Sequence, residues 1–153
     1  MNAIDLLKED HDKVDKLFQK VKATKDEDHH ELFKQIKHEL EVHTHIEETI
    51  FYPRLIADGD EELQKKTKEG IQEHHQAKIF LRELSNLADD SEKFDPKLKV
   101  LMEDIGNHVQ EEEGELFPMV KDQFDEYTLQ MMGNDMEKEK KSFGKSKSAS
   151  TAK

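Results

Sequence analysis

The sequence contains no cysteine, only three prolines and only six glycines among its 153 residues. Without cysteine the chain can form no disulfide and can offer no thiolate to zinc or to an iron–sulfur cluster. The scarcity of proline and glycine leaves few positions where a helix would have to break. No run approaches about 18 apolar residues, the length that predicts a membrane-spanning helix, so we expect no membrane partner.

The N-terminal residues also lack the features of a secretory signal peptide. The chain begins Met-Asn-Ala-Ile-Asp, with no basic region followed by an apolar stretch. The missing cysteines fit a reducing compartment, and together these two absences predict a cytoplasmic location.

Charged residues make up 39% of the sequence and hydrophobic residues 33%, which is typical of a small helical bundle with solvated outer faces. The net charge of −12 is uneven: residues 138–153 carry six lysines and one glutamate, a net of +5, which leaves −17 for residues 1–137. So acidic a body repels nucleic acid, and we expect no nucleic-acid partner. We predict that residues 1–137 form one folded domain and that the low-complexity, lysine-rich segment 138–153 is a disordered tail.

Apolar residues recur at intervals of three and four, the period of an amphipathic α-helix, over four long segments. Short connections between such helices predict an all-α fold, an antiparallel up-down-up-down four-helix bundle. We expect Pro53 to kink or end the second helix, and a short fifth helix over about 127–143 to be broken or frayed at Gly133. The four predicted helices cover about residues 2–24, 27–52, 61–89 and 96–117.

One motif occurs twice, in the second and in the fourth predicted helix. His43-Thr-His-Ile-Glu47-Glu48-Thr-Ile-Phe51-Tyr52-Pro53 matches His108-Val-Gln-Glu-Glu112-Glu113-Gly-Glu-Leu116-Phe117-Pro118. A His and a Glu four residues apart lie on the same face of a helix, so the two copies can present two imidazoles and two carboxylates to each other. A further His precedes each copy: His11 lies 32 residues before His43, and His74 lies 34 before His108.

These ionisable residues occupy positions of the apolar stripes where another hydrophobic side chain would be expected. Burying one uncompensated polar group costs on the order of 2–7 kcal/mol, and six would exceed the roughly 5–15 kcal/mol stability of a whole domain. A pair of cations at the centre of the bundle would satisfy all six together. The predicted metal ligands are His11, His43, Glu47, His74, His108 and Glu112.

Neighbouring polar residues are harder to assign. His75 adjoins His74, but the apolar stripe of the third helix favours His74 as the inward-facing residue. Glu48 and Glu113 each lie one residue past a predicted ligand. The sequence favours neither of two roles for them: partners of histidine N–H groups, or ordinary surface glutamates. Four other histidines are expected on the surface: His29, His30, His38 and His45.

With these motifs the sequence resembles the hemerythrin-like, or HHE, domain over about residues 1–122. The resemblance implies a four-helix bundle with a non-haem di-iron centre, two iron ions joined by an oxo or hydroxo bridge. It also implies that the six residues are the ligands, with Glu47 and Glu112 bridging the irons. Manganese is the alternative metal, because imidazole and carboxylate donors without sulfur suit either ion.

The sequence departs from oxygen-carrying hemerythrins at two positions. Their third helix has a second His four residues after the first, where this chain has Lys78. Their last ligand is an Asp five residues after a His, whereas Glu112 follows His108 by four. This set leaves two coordination positions open and is more similar to the four-His, two-Glu centres of repair-of-iron-centres proteins, although their cysteine-bearing N-terminal segment is absent.

The expected function is therefore that of a non-haem di-iron protein that binds or reduces a small oxidant. Dioxygen, nitric oxide or peroxide is the expected ligand, with an electron donor as a further partner. If the protein turns over, it is an oxidoreductase acting on peroxide or nitric oxide. Two alternatives stay open: an iron storage or donor protein, related to iron-centre repair, that serves an acceptor protein, and a metal-free interaction bundle.

Overall fold

The computed structural model describes residues 1–151, with side chains described as far as residue 143, and this part of the chain is helical without any strand. The fold-class prediction is confirmed. The helices are α1 (Ala3–Ala23), α2 (His30–Ile46), α3 (Tyr52–Asp58), α4 (Glu61–Asn86), α5 (Phe94–Glu111), α6 (Phe117–Gln123) and α7 (Glu126–Thr151). Two five-residue π-helical turns, wide turn 1 (Glu47–Phe51) and wide turn 2 (Glu112–Leu116), join α2 to α3 and α5 to α6.

The wide turns give the bundle four long helical units: α1, α2 with α3, α4, and α5 with α6. Helix α1 packs against α2 and α4 packs against α5, so the two halves of the sequence form two similar hairpins. Helix α7 lies against α1 and α2 as a fifth unit. No helix among the described residues combines the length and the apolar character that a bilayer crossing needs.

Both prolines of the repeated motif lie just after a wide turn, inside a helical unit that continues past them. The unit containing Pro53 extends to Asp58, so it does not end at the proline as one interpretation of the sequence predicted. In wide turn 1 the Tyr52 N–H donates to the Glu47 carbonyl, five residues back. Such a turn inserts one residue into the helix. It shifts the carbonyl that the proline ring would otherwise crowd, and proline has no N–H that needs that carbonyl.

Two apolar clusters fill the interior of the bundle, and a polar layer lies between them. The first cluster includes Leu7 and Leu55, together with side chains from α6 and α7. The second includes Val14 and Leu40, together with side chains from α4 and α5. His11 lies between Leu7 and Val14 on α1, so the predicted metal ligands occupy the boundary between the clusters, where little water reaches them.

Helix α7 differs from the short, interrupted helix that the sequence predicts. It is 26 residues long and passes through Gly133 without a break. It also crosses the predicted domain boundary at 137, and Lys140 and Phe143 contact the bundle, so residues 138–143 belong to the packed structure. Disorder of the remaining tail stays a prediction: its side chains from 144 onward, and residues 152–153 altogether, lie outside the described residues.

Gly133 is required for close packing, because the start of α1 approaches its backbone. A Cβ atom at position 133 would lie 2.7 Å from the Asn2 carbonyl carbon and 2.9 Å from the Ala3 nitrogen, both backbone atoms with little room to move. A methyl group there would force α7 away from α1.

Replacing Gly133 by alanine is therefore expected to lower the free energy of unfolding by about 1–3 kcal/mol, since this steric cost exceeds the roughly 1 kcal/mol that alanine gains in a helix. Gly106→Ala is the matched control, because nothing lies within 4 Å of a Cβ at that helical position. It should gain stability in the same urea titration. Stabilisation by both replacements would contradict the close approach.

Candidate metal centre

The six predicted ligands converge in the polar layer and form two groups, each of which could hold one metal ion. In each group the candidate donor atoms lie within 4.8 Å of one another, and all the residues are buried. Each group combines two histidines from one hairpin with a glutamate from the other. The first group is His11, His43 and Glu112, and the second is Glu47, His74 and His108.

Each glutamate lies between histidines of both groups, which is the arrangement that a bridging carboxylate requires. Glu47 Oε1 is 3.0 Å from His43 Nε2 and 2.9 Å from His74 Nε2. Glu112 Oε1 is 3.1 Å from His11 Nε2 and 3.4 Å from His108 Nε2. The two carboxylates therefore link the two groups into one centre.

Glu47 provides the test of whether a cation fits. Its side chain is fully buried, yet neither carboxylate oxygen accepts a hydrogen bond from any residue that the structure describes. The nearby His43 Nε2 is close enough for an ion pair, but it lacks hydrogen-bond geometry and is also without a hydrogen-bond partner in the described chain. Buried carboxylates are normally hydrogen-bonded, paired or bound to metal. The nitrogen and oxygen donors present here fit a first-row transition metal.

A ring of outer carboxylates orients the four imidazoles. Each histidine directs Nε2 toward the centre, and its Nδ1 contacts a carboxylate outside the centre. At metal sites such a contact fixes the orientation of the ring. The pairs are His11 with Glu113 at 2.7 Å, His43 with Asp10 at 3.1 Å, His74 with Glu48 at 2.9 Å, and His108 with Glu73 at 2.5 Å.

The outer ring resolves the choice left by the sequence and adds two residues that sequence reasoning missed. Glu48 and Glu113 are partners of histidine N–H groups, each reaching a histidine of the other hairpin. The missed residues are Asp10 and Glu73. Each lies directly before a predicted histidine ligand and contacts the histidine of the adjacent helix instead. That shared position, next to His in both halves of the sequence, was the available signal.

Tyr52 breaks the symmetry between the two halves. Its fully buried hydroxyl donates a hydrogen bond of 2.6 Å to Glu112 Oε2 and lies 3.3 Å from His74 Nε2. Space for the phenol comes from Gly70, where a Cβ would lie only 3.0 Å from the hydroxyl oxygen. The matching residue of the second motif is Phe117, whose ring lies parallel to that of His11. From the sequence Tyr52 was only half of a large apolar pair.

Without metal, His43 and His108 are protonated and Glu112 is ionised. Burial lowers the pKa of the His43 imidazole, but the charge of Glu47 and the contact with Asp10 outweigh burial and raise that pKa to about 10. Burial likewise opposes the shift at His108, where Glu112 and Glu73 raise the pKa to about 11. Burial would raise the pKa of Glu112, but His108 and the surrounding hydrogen bonds hold it well below its ordinary value.

Other histidines follow the predictions in part. His74 is buried and His75 is exposed, so His74 is the inward-facing residue of the two, and His38 is exposed as expected. His29 was expected on the surface but is buried, because Nδ1 contacts Asp95 at 2.9 Å and Nε2 contacts the Thr24 carbonyl at 2.7 Å. His45 is half-buried and contacts Glu139 on α7. Asp95 lies 66 residues from His29 in the sequence, and Glu139 lies in the segment predicted to be a disordered tail.

Comparison with known proteins identifies the family. The family model described as Hemerythrin HHE cation binding domain matches residues 2–120. The chain belongs to this family. An uncharacterized hemerythrin-like protein of Schizosaccharomyces pombe is 28% identical over 138 residues, covering 90% of this chain and 68% of that protein. A hemerythrin HHE cation binding domain-containing protein from Mycobacterium kansasii has the same fold, with a TM-score of 0.80 at 24% identity over 95% of this chain and 89% of its own.

A third relative has a different name. A protein named DNA nickase, from Nostoc sp., is 29% identical over 125 residues. The match covers 79% of this chain but only 34% of that protein, so the chain spans about a third of its length. The family model, and not this relative, confirms the HHE resemblance that the motifs predicted.

The protonated state of the metal-free cluster predicts that metal uptake releases protons. A metal ion binds neutral imidazole, so His43 and His108, both protonated at pH 7 with pKa values of about 10 and 11, must each lose a proton. Titration calorimetry with Co²⁺ in buffers of different ionisation enthalpy should report release of about two protons or more per chain.

The variant His43→Gln should release about one proton fewer than the unaltered chain, while His38→Gln, at an exposed position, should match the unaltered chain. Binding heats that do not depend on the buffer would contradict the protonated cluster.

Proposed function

We propose that this protein holds two iron ions at the six-residue centre and there binds or reduces a small oxidant: dioxygen, nitric oxide or peroxide. The observation that carries the proposal is the placement of Glu47 and Glu112 between the histidines of both groups, with the Glu47 oxygens free of hydrogen bonds in the described chain. His11 and His43 would hold one ion, His74 and His108 the other, and the glutamates would be shared. Manganese is the alternative metal.

When bound, such ions supply reversible electron transfer and coordination positions that the protein does not fill. The chain controls access to them. A cleft of about 270 Å³ between α4 and α5 is lined by His74 and His108, and its volume exceeds that of a diatomic molecule or peroxide. On the other side of the centre, the Phe117 ring covers His11. We infer that the oxidant approaches the group that contains Glu47.

Tyr52 offers a proton beside that approach. Its hydroxyl lies 3.3 Å from His74 Nε2 and 3.5 Å from His108 Nε2, the two histidines that line the cleft. Burial, followed by the charges of Glu112 and Glu47, raises the pKa of the phenol well above its ordinary value, so it stays protonated. In this structure the O–H donates to Glu112 Oε2. Once Glu112 is engaged by metal ions, the O–H would turn to a molecule held at that group.

Iron donation to an acceptor protein is the second candidate, and the rim of the same cleft favours it. Glu73, Asp104 and Glu111 line the cleft beside the two histidines, and carboxylates there would favour passage of a cation. Rapid loss of iron to an apo-acceptor, without reaction with the oxidants, would favour this candidate. The metal-free bundle is disfavoured, because it leaves both buried Glu47 oxygens without a hydrogen bond from the described residues.

The activity in the name of the Nostoc relative does not enter the proposal. The matched region is a minor part of that protein, and residues 1–137 of this chain carry a charge of −17, which repels DNA. A cytoplasmic location remains the expectation from the sequence.

The decisive experiment is elemental analysis of protein purified without chelator, followed by nitric oxide titration of the reduced, iron-loaded protein. We expect about two iron ions per chain and an absorption change on adding nitric oxide. Glu47→Gln keeps the shape of the side chain and removes its charge, so it should lower bound iron to about one per chain or fewer.

Glu103→Gln is the control for that variant, because this glutamate is exposed on α5, and it should retain about two ions. A chain that holds no iron even after reconstitution would contradict the proposal. Two tightly held ions that react with none of the three oxidants would refute its second half.

The phenol of Tyr52 has a separate test. Tyr52→Phe should retain iron but react with peroxide about 10-fold more slowly or worse, because the only hydroxyl placed beside both cleft histidines in the described structure is gone. Tyr127→Phe removes the other tyrosine of the sequence, which is 74% exposed, and should change nothing. Stopped-flow absorption with equal iron loading makes the comparison, and equal rates would exclude the proton-donor role.

A further inference from the structure

Helix α7 brings a lysine to the candidate metal centre from beyond the region that the family model matches, which ends at residue 120. Lys140 Nζ forms an ion pair with Asp10 Oδ1. The other oxygen, Asp10 Oδ2, accepts a hydrogen bond of 3.1 Å from His43 Nδ1. We propose that Lys140 is a positioning residue of the metal centre, which fixes the Asp10 carboxylate and, through it, the ring of His43. The inference rests on the metal binding proposed above.

Burial of the aspartate makes the lysine necessary. The Asp10 side chain is only 3% exposed, while that of Lys140 is 27% exposed. A buried carboxylate needs a partner for each oxygen, and removing one partner of a buried ion pair costs more than the pair itself contributes. Without the ammonium group, Oδ1 would have to turn toward water, and that rotation would withdraw Oδ2 from His43.

Contacts on both sides of Lys140 hold it over Asp10. One residue earlier, Glu139 contacts His45 Nε2 at 2.7 Å. Three residues later, the Phe143 ring stacks on the same histidine with 4.4 Å between ring centroids. His45, which adds nothing to the metal ligands, thus anchors α7 to α2 at the level of the centre.

Lys78 provides an internal comparison. It contacts Glu48, the outer carboxylate of His74, at 2.6 Å, so each metal group has one histidine whose carboxylate partner is held by a lysine. Here both partners are more exposed: the side chain of Lys78 is 46% exposed and that of Glu48 is 30% exposed. Exposed ion pairs constrain their members weakly. Lys78 should therefore matter less than Lys140 for metal binding.

The test is the affinity of the full chain for Co²⁺, measured by titration against a competing chelator. Lys140→Met should weaken one of the two binding equivalents on the order of 10-fold, the lower end of the loss typical for outer partners of metal ligands. Removing a positive charge near a cation would by itself strengthen binding. The direction of the change thus separates positioning from simple charge repulsion.

Four comparisons complete the design. Lys140→Arg should restore the affinity, because it keeps the charge and can reach the same carboxylate. Lys141→Met removes the same charge from an exposed position one residue along α7 and should leave affinity unchanged. Lys78→Met should have a smaller effect than Lys140→Met. The metal-free variants should differ too little in free energy of unfolding to explain the difference in affinity. If α7 had a purely structural role, the loss of stability would instead account for the loss of affinity.

The outcomes distinguish this inference from the proposed function. Unaltered protein that binds two equivalents, together with equal or tighter binding by Lys140→Met, would overturn the positioning role and leave the metal centre in place. Failure of the unaltered protein to bind Co²⁺ or iron would overturn both.

Discussion

The buried carboxylate of Glu47 is the constraint on which the rest of the structure depends. It lies in the middle of the bundle, between two apolar clusters, with no hydrogen bond to either oxygen from the described residues. A charge in such surroundings is tolerated only beside compensating charges. The four imidazoles that surround the two glutamates, and the outer carboxylates that orient those imidazoles, follow from that requirement. The apolar clusters then exclude water and strengthen every interaction within the layer.

The two halves of the duplicated sequence contribute nearly symmetric sets of residues to the polar layer, and we infer function from the positions where the halves differ. Each half contributes two histidines, one shared glutamate and two outer carboxylates. The halves differ at Tyr52 and Phe117, which place a hydroxyl on one side of the centre and a plain ring on the other. They differ again where α7 covers α1 and α2 but not the cleft between α4 and α5. In the proposed function, the side with the cleft would take part in reaction and the side covered by α7 would support the centre.

Sequence reasoning found the six candidate ligands of the polar layer because they interrupt a periodic apolar pattern. His11 and Glu47 occupy stripe positions where a carboxylate or imidazole has no place without a partner, so their burial could be inferred. Asp10 and Glu73 were missed because they lie one residue off the stripe, where helical periodicity predicts solvent. Only the tertiary packing brings them against a histidine of the next helix.

The remaining differences have a similar cause. A break in α7 was expected because glycine at 133 was interpreted as a local interruption, whereas the helix is continuous there and uses this glycine for contact with the start of α1. His29 was placed on the surface because its partner, Asp95, is 66 residues away. In each case the deciding interaction is long-range, and composition or spacing along the chain carries no record of it.

The wide turns give the repeated motif a meaning beyond its side chains. Each wide turn begins at a shared glutamate, and the residue directly after the turn is Tyr52 in the first case and Phe117 in the second. Since a π-helical turn holds one residue more than an α-helical turn, Glu47 and Tyr52 lie on the same face although they are five residues apart. On an ordinary α-helix of 3.6 residues per turn, two residues five apart would point about 140° away from each other. The extra residue of the wide turn is thus what lets the carboxylate and the ring after it face the same centre.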